Sequence, residues 1–192
     1  MHINVIHYFW AVMLAGLLLT GCSTPKERAE KNLATANAAY LKQATDFIRA
    51  VAPKDDYILN DRPDSGAGFN CLDGLKEDSL LTKAELDYVI QQSTQPPIKK
   101  WTTDLIPNTK LISADTISQI FNDRKKGWDY FYKKIGRSVS SYSAPIFLRN
   151  NTYCLFYNSN GCGWLCGTGR LSLYKKEGKQ WKIVKTYCNW IS

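Results

Sequence analysis

Apolar residues recur at helical spacing through much of the chain and change to strand-like spacing near its end. The first periodic stretch predicts a helix that begins at Asn32 and stops before Pro53. Its apolar stripe consists of Leu33, Tyr40, Ala44, Phe47 and Val51. A stripe of this kind normally packs on a core, so we expect this helix to lie against the domain that follows it.

Two further helices are indicated by the residues that cap them. Thr82 and Glu85 have the spacing of a capping box and predict a helix from Thr82 to about Gln92. Ser113 caps the next predicted helix, which runs to a stop at Gly136. Its apolar face carries Ile117, Ile120, Phe121, Trp128, Phe131, Tyr132 and Ile135. Residues 53–74 are predicted to form a long loop with an extended piece at 57–59, and a short strand is expected at 110–112.

The period changes from Val139 onward. Four strands are predicted at residues 144–148, 152–158, 170–175 and 180–190, with a tight turn at 176–179. Short connections predict an antiparallel meander. Helices first and strands last indicate an α+β fold, in which N-terminal helices pack on one face of a four-stranded antiparallel sheet. We expect a single globular domain over residues 32–192.

The N-terminus has the pattern of a lipoprotein signal. An apolar run of about 12 residues ends in the sequence Leu19, Thr20, Gly21, Cys22, which matches a bacterial lipobox. Residues 1–21 are thus expected to be a signal peptide, with diacylglycerol attached to Cys22 and a polar tether over residues 22–31. This predicts an acyl-anchored protein of the bacterial cell envelope. In a Gram-negative host, Ser23 favours the outer membrane, facing the periplasm or the surface.

The amino-acid composition limits the catalytic mechanisms and binding partners that the chain can have. The only histidines, His2 and His7, lie in the predicted signal, which disfavours mechanisms that need an imidazole. The signal carries no charged side chain, so the net charge of +8 belongs to the rest of the chain. A basic surface favours an anionic or acidic envelope partner. Arg124, Lys125 and Lys126 are the candidate contact residues, and the predicted compartment argues against nucleic acid.

The final third contains the segments "KKGWDYFYKKIG", "SAPIFLRNNTYCLFY" and "CGWLCGTGRLSLYKKEGKQWKIV". Their order resembles a module of uncharacterised bacterial lipoproteins, notably from Bacteroidetes, over roughly residues 113–184. The family has no assigned activity, so the resemblance implies no catalytic residue. It implies a strand-loop-strand arrangement, and cysteines that relatives can lack.

The stretch "GCGWLCGTG" places Cys162 and Cys166 among four glycines. The stretch joins two predicted strands, and its cysteines are four positions apart. This spacing and position favour a turn closed by a disulfide over a phosphate loop, a metal site or a redox pair. Cys154 and Cys188 are candidates for a second, cross-strand bridge, with Cys71 as an alternative partner. Trp164 at the tip is either an exposed interface anchor or a side chain folded back on the sheet.

These features together favour a non-enzymatic binding, assembly or inhibitor-type module, with no cofactor and no metal. Trp164 and the basic residues are its candidate contacts with a protein or an anionic envelope component. An alternative is an envelope enzyme that uses Asp61, Asp64 or Asp73 on a glycan. A second alternative is a thiol oxidoreductase built on Cys162 and Cys166.

Overall fold

The computed structural model describes residues 24–52, 57–64 and 71–192. The predicted lipid acceptor, Cys22, lies outside these residues. The chain divides into two compact units, Met1–Thr35 and Ala36–Ser192, and the second contains all the strands that the structure describes. None of the helices in the described ranges combines the length and the apolar character that a bilayer span requires.

Helices and strands alternate along the chain more than the sequence pattern indicates. The elements are α1 (Pro25–Val51), β1 (Ile58–Asn60), α2 (Asp73–Lys76), α3 (Lys83–Thr94), β2 (Lys110–Ile112), α4 (Ala114–Asn122), α5 (Gly127–Lys134), β3 (Val139–Tyr142), β4 (Ile146–Leu148), β5 (Tyr153–Gly163), β6 (Cys166–Glu177) and β7 (Gln180–Ile191).

Helix α1 begins at Pro25, seven residues before the predicted start. The Thr24 amide donates to Glu27 Oε2 at 2.7 Å, and the Glu27 amide donates to Thr24 Oγ1 at 3.2 Å. This is a capping box, and proline at the first helical position is already in helical geometry. Part of the predicted tether is therefore helical, because capping residues, rather than the apolar stripe, set the start of the helix.

The sheet is larger than the predicted four-stranded meander, and it is mixed. Its strand order is β2-β1-β3-β5-β6-β7, and β4 pairs with the other part of β5. The long strands β5, β6 and β7 do form an antiparallel meander. Strand β1, however, runs parallel to both β2 and β3. The fold remains α+β, with a partly parallel sheet that has seven strands in the described residues.

Helices cover both faces of the sheet, which corrects the prediction of one covered face. Along β5, Cys154 and Phe156 join a core cluster with Phe47 of α1. The alternating residues, Leu155 and Tyr157, join a second cluster with α2 and α3. Consecutive strand residues point to opposite faces, and here both faces are apolar. The sheet is therefore the middle layer of three.

The long helix predicted after Ser113 is in fact two helices. Residues 123–126 interrupt it, and Gly127 starts α5 with a φ of +51°. Both helices nevertheless pack on one cluster through Ile120 and Phe131. The predicted apolar stripe packs on this cluster except for Tyr132, which is 45% exposed. The stripe is shared by two helices that turn at a glycine.

The predicted capping box of α3 is confirmed and extends into a tertiary contact. Glu85 accepts from the Thr82 amide at 2.9 Å and forms an ion pair with Arg149 at 2.8 Å. Arg149 lies in the turn between β4 and β5 with a φ of +52°. The Arg149 guanidinium and the Thr82 amide hold the pKa of Glu85 at about 2.

This contact predicts a loss of stability in acid. The folded pKa of Glu85 is below its ordinary value of about 4.5, so its contribution is present above that pH and is lost as the pH falls toward 2. Because the pair is partly exposed, we expect about 1–2 kcal/mol to disappear over this interval. Urea unfolding at a series of pH values should show this component, and Glu85→Gln should lack it. Equal pH slopes for the two proteins would contradict the assignment.

Candidate functional site

The glycine-cysteine stretch is the end of a β-hairpin. Strand β5 continues to Gly163 and β6 starts at Cys166, so only Trp164 and Leu165 form the turn. A disulfide joins Cys162 to Cys166 across the turn, as predicted, with their Cα atoms 5.0 Å apart. The bond lies across a hairpin, and not at a helix N-terminus, where the dipole would favour a reactive thiolate. This position suits a structural staple.

Indole rings lie over two of the glycines that flank the turn. A Cβ on Gly161 would lie 3.5 Å from the ring of Trp128 on α5. A Cβ on Gly169 would collide with the ring of Trp190 on β7. Trp190 also donates to the hydroxyl of the buried Tyr157 at 3.1 Å. Gly169 therefore allows the Trp190 ring to lie directly on the backbone, whereas the Trp128 ring would tolerate a Cβ at Gly161.

The tip of the hairpin is held against α5. The Tyr132 hydroxyl donates to the Cys162 carbonyl at 2.6 Å. The Trp164 ring reaches the start of α5, where a Cβ on Gly127 would be 3.4 Å from its Cζ2 atom. Trp164 therefore does not fold back on the sheet. Of the two predicted placements, the structure supports the outward one, with one edge of the indole against Gly127.

The most exposed large hydrophobic residues of the unit Ala36–Ser192, as far as it is described, lie at this end of the sheet. Leu165 is 89% exposed, and Trp164 and Ile191 are each 78% exposed. Strand register places Ile191 opposite Thr168, close to the turn. Exposed apolar side chains are unremarkable when scattered, but a cluster indicates an interaction site.

Basic side chains lie next to this apolar cluster. Arg124, Lys125 and Lys126 immediately precede Gly127, the residue that Trp164 contacts. Residues 123–137 contain six basic and two acidic side chains, a surplus of four positive charges. Arg124 and Lys125 are exposed, whereas Lys126 is partly covered and pairs with Asp123 at 3.4 Å. The structure thus brings together two candidate contacts that are 38 positions apart in the sequence.

We define the hairpin-tip surface as this set of side chains together with Tyr132, which is 45% exposed. Its members are Trp164, Leu165, Ile191, Tyr132, Arg124, Lys125 and Lys126. Sequence analysis missed Tyr132 and Ile191 as members. It assigned Tyr132 to a buried stripe, and strand register alone brings Ile191 to the turn.

The second disulfide corrects the predicted pairing. Cys188 is bonded to Cys71, which precedes α2, and not to Cys154. Cys154 is a fully buried free thiol whose pKa is raised by burial. It faces the α1 side of the sheet, whereas Cys188 packs with the opposite cluster. Alternation along the strands therefore separates Cys154 from Cys188.

The candidate catalytic aspartates Asp61 and Asp73 both form ion pairs with nearby lysines. Asp61 is buried, accepts from the Ala114 amide at 3.0 Å and pairs with Lys100 at 2.9 Å. Burial alone would raise its pKa, but the Lys100 and Ala114 contacts outweigh this and lower it. Asp73 is exposed and pairs with Lys76. Asp61 thus caps α4, and Asp73 forms an ion pair within one helical turn.

The third aspartate, Asp64, lines a cleft of about 350 Å³ beside α3. The described lining is largely apolar and includes the buried Leu155 and Leu171. Asp64 is the only carboxylate among these lining residues. Glycoside hydrolysis generally needs two facing carboxyl groups, and this lining supplies one.

Within the described ranges, no group of three or more His, Cys, Asp or Glu side chains is placed to hold a metal ion. Comparisons with protein-family models, with curated proteins and with solved structures found no match to this chain. The function is therefore inferred from the geometry and the charge of the hairpin-tip surface.

Proposed function

We propose that this protein is a non-enzymatic binding module of the bacterial envelope, lipid-anchored through Cys22, with the hairpin-tip surface as its contact site. The observation that carries the proposal is the exposure of Trp164, Leu165 and Ile191 at one stapled end of the sheet. Membership of an envelope lipoprotein family, with assembly or inhibition among its roles, is part of the same proposal.

The tip has the rigidity that a contact site needs. The Cys162–Cys166 bond closes the turn, Tyr132 ties it to α5, and Trp128 supports the backbone at Gly161. A side chain that is already ordered loses little conformational entropy when it binds. Indole rings held in this way are common energetic centres of interfaces. The constraints around Trp164 therefore favour recognition.

Binding is also better supported than either catalytic alternative. An enzyme that uses carboxylates would need a facing pair, and the described cleft lining contains one aspartate, Asp64. Asp61 and Asp73 are in ion pairs with Lys100 and Lys76. A thiol oxidoreductase would use a disulfide that spans a hairpin turn. No comparable observation favours these functions.

Photocrosslinking tests the proposal directly. A benzophenone amino acid placed at position 165 of the full-length protein, in envelope preparations, should form a covalent adduct with whatever covers the tip. The same amino acid at position 179 is the matched control, because Lys179 is exposed in the turn between β6 and β7. That turn is at the opposite end of β6, about 40 Å from the tip.

We expect adducts from position 165 and few or none from position 179. Equal yields from the two positions would show ordinary collisions, and no adduct from position 165 would remove the tip as a contact site. Either result would refute the proposed function. The adduct is informative whether it contains protein or lipid.

A further inference from the structure

We propose that the hairpin-tip surface docks on an anionic phospholipid bilayer, with Trp164 and Leu165 in the interface and the neighbouring basic side chains at the headgroups. This inference rests on the proposed function and names the partner of the same site. Three properties of the tip support a bilayer as the partner: its shape, its residue types and its charge.

The shape of the tip favours a deformable partner. Trp164 and Leu165 form a two-residue turn at the end of two long strands, and both side chains are largely exposed. They form a projection, and a protein partner would need a matching pocket to bury it. A bilayer interface accepts a projection of this size, because apolar side chains there are buried only about 5–10 Å deep.

The residue types match the two zones of a membrane interface. An indole prefers the boundary between headgroups and acyl chains, and leucine prefers the apolar side of that boundary. Tyr132, partly exposed beside the turn, is an aromatic residue of the same preference. Lysine and arginine extend apolar stems while their charges stay among the headgroups. The tip therefore presents apolar side chains at its end and cations beside them.

Charge complementarity selects an anionic surface over a neutral one. Residues 123–137 have a surplus of four positive charges, and Arg124 and Lys125 are exposed. Each basic side chain close to an anionic membrane strengthens binding about fivefold. A zwitterionic surface offers no such gain.

Lipid quenching of Trp164 tests the inference on the full-length protein reconstituted in vesicles. The vesicles contain lipids with brominated acyl chains, which quench only nearby indoles. Subtracting the emission of Trp164→Phe from that of the wild type isolates the Trp164 signal among the six tryptophans. We expect strong quenching in phosphatidylcholine vesicles that contain phosphatidylglycerol, and weak quenching in phosphatidylcholine alone.

Charge variants test the basic residues separately. Arg124→Ala with Lys125→Ala should lower the ratio of docked to free tip about 30-fold, because two contributions of this size are lost. Lys83→Ala with Lys179→Ala removes the same charge from exposed positions on α3 and in the β6–β7 turn, and should have little effect. High salt should act like the first pair of substitutions.

Three outcomes overturn the inference: an unquenched Trp164 that remains accessible to iodide, equal quenching in both lipid mixtures, or equal effects of the two double variants. Failure here is distinguishable from failure of the proposed function. If position 165 crosslinks to a protein while Trp164 stays unquenched, the proposed binding function is supported and the lipid partner is refuted. If there is neither crosslinking at position 165 nor quenching of Trp164, the binding function and the lipid partner are both refuted.

Discussion

Replacement of Phe47 by alanine should lower the free energy of unfolding by about 3–5 kcal/mol. Phe47 is 1% exposed and is one of the side chains through which α1 packs on the sheet. Its ring makes edge-to-face contacts with four aromatic residues at centroid distances of 5.1 to 6.0 Å, namely Phe147, Phe156, Tyr174 and Trp181. Such pairs contribute beyond the area that they bury, and truncation would leave a cavity that the strands cannot close.

The neighbouring residue provides the control. Asp46 precedes Phe47 on α1, and its side chain is 57% exposed in an ion pair with Lys42. Asp46→Ala should change the free energy of unfolding by less than about 0.5 kcal/mol. Urea unfolding of both variants, followed by circular dichroism, gives the comparison. Similar losses for the two substitutions would mean that α1 is not part of the cooperative core.

The Phe47 contact also shows which part of the fold can be predicted from sequence. The apolar stripe of α1 and the strand-like stretches of β5, β6 and β7 are local patterns. The stripe packs on the core from Tyr40 to Val51, but Leu33, its first predicted member, is 72% exposed. Strands β5, β6 and β7 lie where strands were predicted, and β5 and β6 extend further toward their turn. The Thr82 capping box is equally local and is present. These elements are long or carry a specific hydrogen-bonding signature, so neighbouring residues determine them.

Features that depend on distant pairing were missed. The short strands β1 and β2 lie where an extended piece and a short strand were predicted, but their parallel pairing was not predicted. Strand β3, which pairs with β1 and β5, was not predicted. The break between α4 and α5 was missed because the apolar spacing continues across Gly127. The turn itself requires the positive φ of Gly127, a backbone property that apolar spacing does not report.

The candidate site also combines features that local sequence predicts with features that depend on tertiary contacts. The disulfide Cys162–Cys166 follows from a short stretch of sequence and was predicted. The outward placement of Trp164 was one of two alternatives that the sequence left open. The proximity of Trp164 to Arg124 and Lys125 was not predicted, because α5 and the hairpin meet only in the folded sheet. The separate candidates therefore become one surface through tertiary structure.

Removal of the Cys71–Cys188 disulfide should lower the free energy of unfolding by about 4–5 kcal/mol. The bond joins the start of α2 to the edge strand β7 over a sequence separation of 117 residues. A cross-link over so long a loop strongly restricts the unfolded chain, and the entropic cost of closing a loop grows with its length. Since native domains are stable by about 5–15 kcal/mol, this loss would be a large fraction of the total. Cys71→Ala with Cys188→Ala, measured by urea unfolding without reductant, tests it.

The Cys162–Cys166 bond is the matched control, because it is the same chemistry over a separation of only 4 residues. Cys162→Ala with Cys166→Ala should cost about 2 kcal/mol on the same loop-closure argument. The two bonds thereby have different consequences: losing the long link weakens the whole domain, whereas losing the short one loosens the tip around Trp164. Equal losses from the two double variants would contradict loop closure as the source of the difference in stability.

The short disulfide also has a consequence for docking. If Cys162→Ala with Cys166→Ala weakens lipid docking in a domain that stays folded, the disulfide positions the Trp164 indole.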